Sequence, residues 1–123
     1  MVWYPTVDDI IDANKVALLK GRDKHPHKLL GARRGIQGLI NGIIDNEGFG
    51  LTYQVALLMQ RILIRPLFDG GNHRTAYYIA ELFLTQNGVA VRTVAPEIAY
   101  DHIRHVPEMT IPQIQQWIIT NMS

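Results

Sequence analysis

The sequence predicts an all-α domain of about six helices, with a glycine-containing loop feeding a central one. Three observations carry this. Apolar residues recur three and four apart in segment after segment, the spacing that lines one face of a helix. Helix start and stop signals bracket those segments. Hydrophobic residues make up 47% of the 123 and charged residues 19%, the balance of a chain that folds around a core. At this length about two-thirds of the extended-chain surface is buried on folding, so one domain over residues 1–123 needs neither metal nor disulfide to hold it.

The elements follow in order. Thr6-Val7-Asp8-Asp9 is a capping start, and Ile10, Ile11, Val16 and Leu18 follow before Gly21 ends the segment. Arg22 to His27 is charged, contains Pro26, and reads as a loop. Arg33 to Ile44 places Ile36, Leu39, Ile40 and Ile43 on one face. Its three glycines, Gly35, Gly38 and Gly42, each cost about 1 kcal/mol against alanine, or else admit a close helix neighbour. Asp45 to Leu51 is a loop. Thr52 caps Tyr53 to Ile64, which is apolar nearly all round and therefore central, and Pro66 stops it. Asn72 opens a helix to about Gln86, with Asn87-Gly88 as its stop. Val89 to Val94 is extended, an edge segment. Ala95-Pro96-Glu97 and Thr110-Ile111-Pro112-Gln113 begin the last two helices, the second carrying Ile114, Trp117 and Ile118 inward. The helices over 52–64 and 72–86 are expected to be neighbours in the core, since both are apolar on more than one face and the link is short.

Composition excludes several classes. The chain has no cysteine, which removes disulfide frameworks, Cys-ligated zinc and a cysteine nucleophile, and fits a reducing cytoplasm. Twelve basic against eleven acidic residues leave no cationic footprint for nucleic acid. Met1-Val2-Trp3-Tyr4-Pro5 lacks the charged start and apolar run of a secretory leader. The apolar stretch Val55 to Phe68 is broken by Gln60, Arg61 and Arg65, too short and too charged for a bilayer. The expectation is a cytoplasmic protein without nucleic-acid or membrane partners.

Chemistry concentrates in Phe68-Asp69-Gly70-Gly71-Asn72-His73-Arg74-Thr75-Ala76. A glycine loop entering a helix start brings together unpaired N–H groups and the positive end of the helix dipole, which suits an anion. Arg74 in the first turn can grip a phosphate with two N–H bonds, and Asp69 can hold a divalent cation beside it. The same residues also read as an ordinary cap, with Asn72 as N-cap and Arg74 solvated.

Asn72-His73-Arg74-Thr75-Ala76, preceded by Phe68 and followed by Ala80, Leu82-Phe83-Leu84 and Asn87-Gly88-Val89, resembles the Fic/Doc (Fido) superfamily, closest to its death-on-curing toxin branch. The likeness spans most of residues 6 to 95 and includes the Asp12-Ala13-Asn14 helix and Leu29-Leu30-Gly31. It implies a helical bundle with a phosphate-binding loop before a central helix. It also implies ATP or a related nucleotide with Mg²⁺, a protein substrate whose hydroxyl receives AMP or phosphate, and restraint by an antitoxin peptide or protein. By the same resemblance Gly70, Gly71, Asn72, His73 and Arg74 would be the phosphate-binding set and Asp69 the Mg²⁺ ligand.

The family motif is His-Pro-Phe-x-(Asp/Glu)-Gly-Asn-(Gly/Lys)-Arg, and here its histidine is missing. Without a gap, the His position is Pro66 and the acidic position is Gly70. Allowing one extra glycine matches Pro66, Asp69 and Gly70, puts Leu67 in place of Phe, and makes the His position Arg65. The second alignment keeps the proline and the carboxylate and is preferred. Neither arginine nor proline supplies the general base that the family histidine provides. The expectation is a toxin–antitoxin-type protein that keeps the nucleotide loop but has degenerate transferase chemistry. Two alternatives stand beside it. One is an active phosphotransferase or adenylyltransferase using His73 as base, or a substrate-assisted route. The other is a peptide-binding module on the same fold.

The remaining candidates are weaker. The family's inhibitory (Ser/Thr)-x-x-x-Glu-(Gly/Asn) segment is not visible: the only Glu-Gly is Glu47-Gly48, preceded at the fourth position by Ile43. Asp45 to Leu51 lies where relatives carry a substrate-docking flap. His25 and His27, and the pair His102 and His105, lack a third metal ligand and read as structural or solvated. Tyr77 and Tyr78 read as packing rather than base-stacking residues, Arg33 and Arg34 as a solvated face, and Trp3, Tyr4 and Pro5 as a cover for the core edge.

Overall fold

The computed structural model describes residues 1–20 and 33–123. The expected stop at Gly21, the loop with His25 and His27, and Leu29-Leu30-Gly31 lie outside the described residues. Within them every regular element is a helix, and none is a strand. The helices are α1 (Val7–Lys20), α2 (Arg33–Ile44), α3 (Leu51–Ile64), α4 (Asn72–Gln86), α5 (Pro96–Ile103) and α6 (Ile111–Asn121), with short 3₁₀ turns at Glu47–Phe49 and Val106–Glu108.

Helix α3 forms the centre because it is apolar on almost every side. Six consecutive residues, Gln54 to Met59, are buried, which only a helix surrounded on all sides achieves. Its most extensive neighbour is α4, followed by α6, as the short link implies. On α4, Ala76, Ile79, Ala80, Phe83 and Leu84 are all fully buried. Helix α1 packs on the other side of α4, and α2 and α5 close the flanks.

Local chemistry sets most ends. Thr6 and Asp9 form a reciprocal capping pair, Thr6 Oγ1 accepting from Asp9 N–H at 3.1 Å and Asp9 Oδ2 accepting from Thr6 N–H at 2.7 Å. Thr110 and Gln113 do the same for α6. Helix α4 stops in a Schellman turn: Gly88 is left-handed (φ 83°), its N–H bonds Thr85 O, and Val89 N–H reaches back to Leu84 O. Asn87 then ties the N-terminus down, accepting from Trp3 N–H at 2.8 Å and donating to Trp3 O at 2.9 Å. Trp3 and Tyr4 set their rings edge-on to buried Phe83, the cover for the core edge that the sequence suggested.

Four expectations need correction. Helix α3 begins at Leu51, one residue before the expected Thr52 cap, because Gly50 (φ 94°) turns the chain into it. Val16 is exposed, since the buried face of α1 runs through Ile10, Asn14, Ala17 and Leu18 and Val16 falls off that line. The glycines of α2 do not mark a close backbone contact: among the described residues nothing lies within 4 Å of a Cβ at Gly35 or Gly38, and at Gly42 the near group is the flexible end of Arg61 from the 51–64 helix. The 89–94 segment pairs with no strand; Arg92 N–H bonds the Met122 carbonyl at the end of α6 at 2.8 Å.

Candidate functional site

The 65–74 corner joins the two most buried helices. Arg65 ends α3 and is exposed with Pro66; Phe68 then drops into the core, 1% exposed, and anchors the loop. The cap of α4 is Gly71, left-handed at φ 72°, not Asn72, which is the first helical residue and makes no capping bond. A left-handed backbone here favours glycine, and a Cβ would also press on Asn14 Nδ2 at 3.3 Å and Ala17 Cβ at 3.4 Å.

Three polar side chains lock this turn from within. Asn72 Oδ1 accepts from Phe68 N–H at 3.1 Å while its Nδ2 donates to Phe68 O at 2.9 Å. Buried Asn14 on α1 donates to Gly70 O at 2.8 Å and to Thr75 Oγ1 at 3.1 Å. Thr75 in turn donates to Gly71 O at 2.7 Å. The inward polar groups of the corner are thereby satisfied, and its outward face carries the exposed side chains of Asp69, His73 and Arg74.

This sorts the expected site residues. Gly70 and Gly71 shape the turn and Asn72 holds it shut, so the side chain of Asn72 is committed to Phe68. His73 and Arg74 stand together at the helix start, with the His73 ring 6.0 Å from that of Tyr100. Arg74 forms no ion pair with a described residue. Asp69 belongs to no ready-made metal cluster: among the described residues no three His, Asp or Glu converge. A single exposed carboxylate suits Mg²⁺ only where phosphate oxygens complete the shell.

Beyond Arg74, α4, α5 and the 93–96 segment enclose a cavity of about 420 Å³, lined among others by Tyr77, Tyr78, Glu81 and Tyr100. Tyr77 and Tyr78 pack edge to face, centroids 6.3 Å apart. Burial pushes the Glu81 carboxyl above its ordinary value. Burial likewise raises the Tyr77 phenol, helped by the Glu81 charge and opposed by a backbone hydrogen bond from Val94. Asn14, Thr75, Glu81 and Tyr100 were not singled out as site residues in the sequence. The signal for Glu81 was present, since Arg74, Tyr77, Tyr78 and Glu81 recur at helical spacing along one side of α4.

The other candidates are structural. His102 lies parallel to Trp117 at 3.9 Å, and burial, with the nearby His105, lowers its pKa to about 4. His105 sits exposed, 4.0 Å from Glu108. Arg33 pairs with Asp8 at 2.6 Å on the surface. Phe49 of the 45–51 segment is 67% exposed and stacks on Tyr53 at 4.8 Å. No described helix is long and apolar enough to cross a membrane. No protein-family model matches the chain, and no curated protein matches it.

Proposed function

We propose that the chain is a Fic/Doc-type domain that binds the phosphates of ATP or a related nucleotide at the Gly70–Arg74 corner and has lost the family's transferase chemistry. The observation that carries this is the geometry of the corner. A left-handed Gly71 starts α4, the loop's inward polar groups are used up by Asn14, Asn72 and Thr75, and His73 and Arg74 are left exposed beside first-turn N–H groups that bond no described residue. The adjoining cavity offers space for the rest of the nucleotide.

Each residue then has a task. Gly70 and Gly71 allow a phosphate to approach the backbone. Asn72 keeps the loop closed, and His73 and Arg74 donate to phosphate oxygens. Asp69 would share Mg²⁺ with those oxygens, the ion's role being to neutralise their charge. What is lacking is a base at the end of α3, where Arg65 or Pro66 stands. Partners of the kind the resemblance implies, an antitoxin peptide or a target protein, belong to this same proposal.

The test is binding without transfer. Titration calorimetry with ATP and Mg²⁺ should show saturable binding, and ATP labelled at the α- or γ-phosphate should leave no label on the protein or on added proteins. Absence of ATP binding contradicts the phosphate site. Efficient labelling contradicts the loss of chemistry and favours an active enzyme working through His73.

A further inference from the structure

We propose that Glu81 selects nucleotides whose base carries an exocyclic amino group, by accepting a hydrogen bond from that group inside the α4–α5 cavity. The inference rests on the phosphate-binding reading above and adds the identity of the base.

The register of α4 supplies the ruler. Arg74 and Glu81 are seven residues apart, almost two turns, so their positions differ by about 10 Å along the axis, close to the length of a nucleoside monophosphate. Both line one cavity of about 420 Å³, and Tyr77 and Tyr78 lie between them on the same helix. A ligand held at Arg74 by its phosphate therefore reaches Glu81 with its far end.

The chemistry of that end is set by what Glu81 lacks. It is half-buried and makes no hydrogen bond or ion pair with a described residue, and burial alone raises its carboxyl. An ionised carboxylate only accepts, so the complementary group is an N–H donor; a ring carbonyl in the same place would face like charge. A simple organic cation answers Glu81 less well, because the cavity mouth already carries Arg74 and His73. A molecule with an anion at one end and a neutral amino group on a flat ring at the other satisfies both ends.

Tyr77, Tyr78 and Tyr100 all line the cavity and can present ring faces to a ligand. Tyr77 and Tyr78 meet at 67° and Tyr100 is tilted at 57° to His73, so none of these pairs is stacked flat. His102 and Trp117, by contrast, lie only 4° from parallel and leave no gap. Base–tyrosine contact is tolerant of sequence, since every base has a π-face, so the choice among bases falls to the polar group, Glu81.

Calorimetric titration with ATP, purine riboside triphosphate and inorganic triphosphate separates the two readings. Purine riboside differs from adenosine only in carrying a hydrogen where adenosine has its amino group. The parent should bind ATP about tenfold or more tightly than purine riboside triphosphate, the usual range for a hydrogen bond to a charged group. Glu81→Gln, whose amide both donates and accepts, should bring the two nucleotides within about threefold. Arg74→Ala should weaken all three probes together. Equal affinity of the parent for both nucleotides, or an unchanged preference in Glu81→Gln, overturns the role of Glu81 while triphosphate binding leaves the phosphate site standing. If none of the three probes binds, both readings fall together.

Discussion

Asn72 and Phe68 close the candidate site on each other: one side-chain amide accepts from the Phe68 N–H at 3.1 Å and donates to its carbonyl at 2.9 Å. The pair keeps Phe68 in the core and leaves the start of α4 facing outward.

Two substitutions at Asn72 separate its structural part from its electrostatic surroundings. Asn72→Ala removes both bonds and should destabilise the fold by about 1–3 kcal/mol, leaving two half-buried backbone groups without this partner. Asn72→Asp keeps the bond from Phe68 N–H and gains about 0.3–1 kcal/mol from the helix dipole, while it sets a carboxylate against the Phe68 carbonyl. Its net loss of stability should be smaller than that of Asn72→Ala. Nucleotide binding should show the reverse order, with the added negative charge more damaging than the lost amide. Thermal melts and ATP titrations of the two variants check both orders.

Glycine replacement should give opposite signs at two positions. Gly71→Ala forces a left-handed alanine, a cost of about 1–2 kcal/mol, and crowds Asn14 at 3.3 Å and Leu18 at 3.4 Å. Gly38→Ala lies inside α2 with nothing within 4 Å of the new methyl and should stabilise by up to about 1 kcal/mol. Denaturant midpoints of the two variants, falling for one and rising for the other, are the expected result.

Stability should depend on pH through His102. Its folded-state pKa is lowered to about 4 by burial first and His105 second, against 6.5 for an exposed imidazole. Above that value the group is neutral in both states and costs nothing. As pH falls below about 6.5 the unfolded chain takes up a proton that the folded chain refuses, so stability declines until the folded imidazole protonates near pH 4. His102 is half-buried, so after allowing for solvent screening the loss is on the order of 1 kcal/mol. His102→Phe keeps a ring against Trp117 and should flatten this slope between pH 6.5 and 4.

The fold was legible where the cause is local. Thr6-x-x-Asp9, Thr110-x-x-Gln113 and Asn87-Gly88 each place a donor and an acceptor within one turn, so the sequence contains the whole interaction. The all-round apolar run from Val55 to Met59 likewise announces a helix with no free side. Helix α4 runs from Asn72 to Gln86 as the sequence indicates, and only the reading of Asn72 as its cap fails. Here its amide turns back to Phe68, and Gly71 takes the cap position. The lock from Asn14 joins residues 56 and 61 positions apart, and no spacing rule reports such a pair. The cavity depends on how α5 and the 93–96 segment lie against α4, so helical spacing aligns Glu81 with Arg74 but does not show the cavity they share.

The site's central claim is that Arg74 and the start of α4 hold phosphate. Calorimetric titration of ATP into the parent and into Arg74→Ala tests it most directly. Loss of one charge-assisted contact is worth about 1.5–3 kcal/mol, so the variant should bind roughly tenfold to more than a hundredfold more weakly, with its melting temperature close to the parent's since Arg74 is exposed and unpaired among the described residues. Equal ATP affinity in the two proteins would contradict the account.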